Sequence, residues 1–235
     1  MKTNDSKAPL HFAVIPDGNR RWAKSRGLKP WLGHKSALER FQEVFETAYD
    51  AGTRYLTFWA GSEDNLRKRD AMEVKFLVEY MADVLTNEAN VRSLVERRTR
   101  ARIIGRWHDI VPNTRLKEAI ETLEQRTKEF SDSYLTILFG YDGKSEMLAA
   151  VGKLRDDNIA VTAEALKTRL WTGFLPPVDL VLRTGGEPHW SAGFMMWLTA
   201  DSQFFFTDML WPEVTRQTIK DIFADYAGRG RRFGK

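Results

Sequence analysis

The stretch His11-Phe12-Ala13-Val14-Ile15-Pro16-Asp17-Gly18-Asn19-Arg20-Arg21-Trp22 changes character at Pro16. Before it lies a short apolar run with β character. After it come a polar turn and a segment, 19–26, that reads as a short helix with Asn19 near its start. A buried strand that empties through a glycine turn into a helix is the first half of a βα unit.

The same alternation continues outward. An amphipathic helix over 34–51 is closed by Gly52, and a strand follows at 54–59. A long helical stretch over 70–97 leads to a third strand at 101–104, and a helix over 113–130 to a fourth at 134–139. Shorter helices are expected within 144–154 and 162–171. Strands at 178–182 and 204–206 and a closing helix over 216–227 complete the pattern. This βαβα order predicts one α/β domain over 1–235, with a mainly parallel six-stranded sheet surrounded by helices and a flexible segment over 1–9. In such sheets ligands bind beyond the carboxyl ends of the strands, where the polar motifs fall.

Composition limits the function classes. The formal net charge is only +4 and the basic residues are dispersed, so nucleic acid is not the expected partner. The absence of cysteine excludes disulfides and thiolate metal sites and fits a cytoplasmic setting. The amino-terminal residues lack an apolar signal core. No apolar stretch approaches the roughly 18 residues of a membrane span, which leaves peripheral membrane contact open. Eight Trp and fourteen Phe serve mainly as core, and some are available to line an apolar pocket.

Three segments could carry chemistry. Asp17 is a hard oxygen ligand suited to Mg²⁺ shared with a diphosphate, and Arg20 and Arg21 are charge-assisted phosphate donors beside a helix start that Asn19 could cap. The same residues also read as a helix cap with solvated arginines. Ser62, Asp64 and Asn65 follow the second strand and read equally as a polar loop with an N-cap. Arg183-Thr184-Gly185-Gly186 with Ser191 can form a phosphate cradle, or an ordinary glycine turn. The tail Arg231-Arg232-Phe233-Gly234 alone reads as a frayed basic terminus.

Order and spacing add what single motifs lack. HFAVIPDGNRRWA (11–23), GHK (33–35), YLTFWAGS (55–62) with Asn65, RIIG (102–105), VDLVLRTGGE (178–187), FTDMLWP (206–212) and RRFG (231–234) together resemble the cis-prenyltransferase (undecaprenyl diphosphate synthase-like) family from about residue 10 onward. The resemblance implies a Mg²⁺-dependent transferase that joins an allylic prenyl diphosphate to isopentenyl diphosphate, usually as a homodimer with an apolar tunnel. It implies that Asp17 binds Mg²⁺ and that Asn65 is catalytic. Gly18, Asn19, Arg20, Arg21, Trp22, His34 and Ser62 would serve the donor, with Asp64, Leu66 and Lys68 at variant donor-site positions. Arg183, His189 and Ser191 would serve the acceptor, with Arg232 and Gly234 reaching the partner's site.

Several positions depart from the family pattern. Pro30 follows Lys29 where the family carries an arginine, and Asp64, Leu66 and Lys68 replace Glu, an aromatic residue and Arg. His189 replaces an acceptor-site arginine, Ala192 is inserted before Gly193, and Gln203 replaces a metal-binding carboxylate for which Asp201 is a nearby substitute. These changes weigh on the acceptor side. The expected activity is therefore cis-prenyl transfer to isopentenyl diphosphate with a short or medium product. The alternatives are cyclisation, irregular coupling or transfer to another acceptor, a non-catalytic partner subunit, or a phosphate-binding module. Phe58, Trp59, Phe76 and Tyr80 are candidates for the walls that set chain length.

Overall fold

A computed structural model describes residues 8–229 except Ala192, with nothing said of the His34 side chain. Six strands form one sheet: β1 (His11–Ile15), β2 (Tyr55–Ser62), β3 (Thr99–Ile104), β4 (Ser133–Tyr141), β5 (Leu180–Arg183) and β6 (Gln203–Phe206), in the order β3-β4-β2-β1-β5-β6. Every pairing is parallel. All five residues of β1 are buried, as expected of a central parallel strand covered on both faces.

The helices are α1 (Asn19–Ser25), α2 (Pro30–Asp50), α3 (Glu63–Lys68), α4 (Ala71–Thr86), α5 (Glu88–Glu96), α6 (Trp107–Ile110), α7 (Thr114–Thr127), α8 (Gly143–Asp156), α9 (Ala163–Arg169) and α10 (Arg216–Gly228). One apolar core packs α2, α4, α5, α7 and α10 against one face of the sheet, with Phe12, Val14, Leu56 and Leu135 pointing into it. The opposite face, carrying Ala13, Trp59 and Leu138, meets the segments around Leu175 and Phe194–Leu198.

Four expectations are corrected. The helical stretch 70–97 is two helices, because the Asn87 Oδ1 accepts from Ala89 N at 3.0 Å and Asn90 N at 3.2 Å and so restarts the chain as α5. The second strand runs on to Ser62 through a register shift at Gly61. Ala8, inside the segment 1–9 expected to be flexible, is buried in the core, and residues 1–7 lie outside the described residues. Asn19 does not cap α1. Gly18 takes that position at φ 103°, and a Cβ there would come within 2.7 Å of Leu210 Cδ2.

Two apolar cavities lie between the helices and the sheet.

Candidate active site

Sheet order creates the site. From β1 the chain builds β2, β3 and β4 on one side and returns to add β5 and β6 on the other, so the loop after β1 occupies the switch point. Ile15 pairs with Arg183, so the last residues of β1 and β5 reach the same edge together. The Thr184 hydroxyl accepts from Asp17 N at 2.9 Å and donates to Asp17 O at 2.8 Å. Trp211 N donates to Asp17 O at 3.0 Å, while its buried indole Nε1 donates to Ala37 O on α2 at 2.7 Å. The backbone beneath Asp17 is thereby fixed from both sides.

The Asp17 carboxylate stands between two arginines. Its Oδ1 accepts from Gly18 N and lies 3.3 Å from Arg21 Nη2, and its Oδ2 lies 3.5 Å from Arg183 Nη2. Gly185 makes room for this: a Cβ there would lie 2.6 Å from Arg21 Nη2 and 3.0 Å from Asp17 Cβ.

Beside the β1–α1 loop an open cleft is lined by Asp17, Gly18, Asn19, Arg20, Arg21 and Arg69. Arg20 Nε lies 3.8 Å and Arg69 Nη1 3.3 Å from the buried Glu73 carboxylate. Burial lowers Arg69 from its usual pKa, with Glu73 opposing the shift. The cleft meets an apolar chamber at Pro16, Asn19 and Arg69, and Asn65 lines that chamber. Asn19 Oδ1 is buried without a hydrogen-bond partner at this junction, free for a ligand.

Helix phase decides which residues after β2 face the site. Ser62 caps α3 through its Oγ, which accepts from Asn65 N at 3.0 Å, and Ser62 N donates to Asn65 Oδ1 at 3.4 Å. Asn65 and Arg69, four apart, both line the chamber. Asp64 and Lys68, also four apart, are exposed and pair with each other at 2.7 Å. Leu66 is core. Neither Lys68 nor Leu66 lines the cleft or the chamber, whereas Arg69 lines both. Its signal was the spacing Asn65–Arg69–Glu73.

At the end of β5, Arg183 is 4% exposed. Its Nη1 donates to His189 O at 2.8 Å, its Nη2 lies 3.4 Å from Glu187 Oε2, and its Nε is buried without a partner. The His189 ring is 56% exposed and 3.7 Å from Glu187, so it does not stand beside Arg183 as a second buried cation. Ser191 is half-buried near the Trp190 indole, whose Nε1 donates to Phe194 O at 2.8 Å.

Trp22 lies against Arg26, with the guanidinium 4.2 Å from the ring centroid, and lines neither cavity. Gln203 does not meet Asp17 within this chain. It pairs with Leu180, at the amino end of β6, where Asp201 also lies; the carboxylate near the glycine turn is Asp208, which a Cβ at Gly186 would approach to 3.1 Å. Arg232 and Gly234 fall outside the described residues, as does the His34 side chain. Of the suggested wall residues, Phe58, Trp59 and Tyr80 line the chamber. Phe76 stacks on Tyr80 with ring centroids 5.5 Å apart and does not line the chamber.

The motif order now has its geometry, and sequence comparison supplies the family. Residues 15–234 match the family described as putative undecaprenyl diphosphate synthase. The chain belongs to the undecaprenyl diphosphate synthase family. It is a prenyltransferase of that family, and its relatives match along nearly their whole length. It is 34% identical to an isoprenyl transferase of Thermus thermophilus, over 97% of this chain and 89% of the relative. It is 32% identical to a tritrans,polycis-undecaprenyl-diphosphate synthase (geranylgeranyl-diphosphate specific) of Methanopyrus kandleri, over 100% of this chain and 88% of the relative.

Among solved structures, lavandulyl diphosphate synthase from Lavandula x intermedia in complex with dimethylallyl diphosphate superposes with a TM-score of 0.90 at 28% identity, covering 98% of this chain and 100% of that one. A probable undecaprenyl diphosphate synthase from Campylobacter jejuni shares the fold, with a TM-score of 0.78 at 24% identity over 97% of this chain and 99% of that one. The six-stranded, mainly parallel sheet expected of the prenyltransferase fold is observed, with every pairing parallel. Among the described residues no helix is long and apolar enough to cross a membrane, and no group of three or more His, Cys, Asp or Glu side chains forms a metal cage.

Proposed function

We propose that the chain transfers a prenyl group from an allylic prenyl diphosphate to isopentenyl diphosphate, giving a cis-prenyl diphosphate of short or medium length. The observation that carries this reading is the position of Asp17 between Arg21, on the donor cleft, and Arg183, on the acceptor side.

Arg20, Arg21 and Arg69 bind the donor diphosphate, and the apolar chamber beyond Asn65 takes its hydrocarbon. The Asp17 carboxylate suits Mg²⁺, which takes one or two protein oxygens beside phosphate and water. Held there, Mg²⁺ would supply stabilisation of charge on the departing diphosphate. Arg183 orients the acceptor diphosphate so that its alkene faces the donor's allylic carbon. The C–O bond breaks with its electron pair on diphosphate, the alkene pair forms the new C–C bond, and a proton leaves the adjacent acceptor carbon to the released diphosphate. The apolar chamber walls exclude the water that would quench an allylic cation. The working form is a cytoplasmic homodimer, as the resemblance implies, with Asn65 and the Arg232–Gly234 tail in their family roles.

One observation favours a second reading. The exposed His189 ring leaves Arg183 as the buried arginine of the acceptor side, which weakens a clamp specific for isopentenyl diphosphate. Irregular coupling to a second allylic diphosphate fits that weaker clamp, and the superposed lavandulyl diphosphate synthase is described with dimethylallyl diphosphate.

The experiment supplies dimethylallyl, geranyl and farnesyl diphosphates with Mg²⁺, with and without isopentenyl diphosphate, and identifies products by mass spectrometry. Release of diphosphate only with isopentenyl diphosphate, giving products longer by five carbons, supports the first reading. Release without it, giving irregular dimers or alcohols, overturns the first reading and favours the second.

A further inference from the structure

β3 is an edge of the sheet and pairs only with β4. Its other side carries backbone N–H groups that no strand takes, and an open edge of that kind is a template for a second chain. Here α7 closes it. Ile103 N donates to Glu124 Oε1 at 2.9 Å, and Ala101 N donates to Thr127 Oγ1 at 3.2 Å. Both acceptors stand on α7, three residues apart, on the side that faces β3. Thr127 is fully buried and its hydroxyl proton goes to Leu123 O at 2.9 Å, which leaves its lone pairs for the strand.

We infer that Glu124 and Thr127 guard the β3 edge: they occupy the outward N–H groups of Ala101 and Ile103 and so keep a second copy of this chain from extending the sheet there.

Packing alone does not call for these side chains. Valine, branched at Cβ like threonine, would fill the buried site of Thr127 with no polar atom to satisfy. A half-buried carboxylate at Glu124 is costly unless it is hydrogen-bonded. Each is accounted for by the N–H it meets, since a bare N–H at a covered edge costs as much as a lost hydrogen bond. The strand itself invites pairing. Thr99, Ile103 and Ile104 are β-branched and favour extended backbone. Charge adds a second barrier. Arg100 and Arg102, two apart, share one face of β3, and with Lys128 they line a groove along the edge. Phe174 holds Arg102 in place, with the guanidinium 4.7 Å from the ring centroid. A second copy paired in register would set these arginines against its own, and like charges opposite one another weaken strand pairing.

The test compares two double variants of the full chain with wild type. Glu124→Ala/Thr127→Val removes both acceptors, whereas Glu124→Gln/Thr127→Ser keeps an acceptor oxygen at each position. Sedimentation velocity over a range of protein concentrations reads association, and amide hydrogen exchange reads residues 101 and 103. In dilute solution the Ala101 and Ile103 amides of the first variant should exchange up to about tenfold faster than in wild type, the scale of one hydrogen bond. As concentration rises, that variant should form species larger than the wild-type form, and the same two amides should regain protection. The second variant should match wild type in both readouts. Glu124→Ala alone carries the test at Ile103, with a smaller effect, if the first variant does not fold by circular dichroism. Unchanged exchange, absence of association, association without renewed protection at Ala101 and Ile103, or equal association of the second variant would each overturn the inference. Turnover is no part of the readout, so the outcome is separate from that of the proposed reaction.

Discussion

Arg183 Nη2 lies 3.5 Å from Asp17 Oδ2, joining the last residue of β5 to the first turn after β1. The guanidinium is almost fully buried while the carboxylate is partly open to the cleft, so Asp17 anchors Arg183 and still presents oxygen to the cleft. In the proposed reaction this pairing would couple the donor and acceptor halves of the site.

Replacing Asp17 should therefore remove function without unfolding the protein. Asp17→Ala is expected to lower turnover by about a hundredfold or more, the scale seen when one electrostatic partner of a transition state is lost. Arg183 keeps Glu187 as a counter-charge, so thermal unfolding should shift by only a few degrees. Steady-state kinetics with calorimetry checks this; near-normal turnover would remove Asp17 from the mechanism.

Arg69 and Lys68 should behave oppositely although adjacent. Arg69→Ala is expected to raise the KM for the allylic diphosphate about tenfold or more, because it removes the cation flanked by Glu73 at the cleft. Lys68→Ala should change it less than about twofold, since that side chain is exposed and paired with Asp64. A larger effect at Lys68 than at Arg69 would return the role to Lys68.

His189→Arg should lower the KM for isopentenyl diphosphate if the acceptor pocket needs only a second cation. Gln203→Glu should not do so within a single chain, because Gln203 lies at the amino end of β6, and burying a new charge there should instead lower the melting temperature. Substrate titrations of both variants test this. No gain from His189→Arg would indicate a pocket built for another acceptor.

His11 predicts acid sensitivity. It is fully buried, with Nδ1–H donating to Pro176 O at 2.9 Å and Nε2 accepting from Thr57 Oγ1 at 2.8 Å. Burial lowers its pKa from 6.5 to about 4. The unfolded chain takes up the proton first as pH falls, so this residue's contribution is complete above about pH 6.5 and is lost as pH falls toward 4, a change of about 3 kcal/mol. Urea unfolding at pH 7 and pH 4.5 should show a smaller pH-dependent loss in His11→Gln than in wild type; parallel losses would exclude His11 as a source.

Much of the architecture was legible because local rules dictated it. The apolar run at His11–Ile15 and the glycine-closed amphipathic helix before β2 are patterns of period and punctuation, which a chain carries without knowing its neighbours. The Asp17, Asn65 and Arg183 motifs were legible for the same reason, since each follows a strand at the edge where parallel sheets place ligands.

Period and punctuation along the chain dictate the alternation of elements, the mainly parallel sheet that alternation implies, and the residue types at the carboxyl edge. Tertiary structure alone decided which of them work together. The choice of Arg69 over Lys68 depends on helix phase and on buried Glu73. The need for glycine at the cap of α1 depends on Leu210, nearly two hundred positions away, whose Cδ2 a Cβ at position 18 would meet at 2.7 Å. That Leu38 and Val84 line both apolar cavities depends on how α2 and α4 meet over β2 and β4. Periodicity fixes which way a side chain points relative to its own helix axis, but contact across elements is set by close packing of the whole interior, which no local segment encodes.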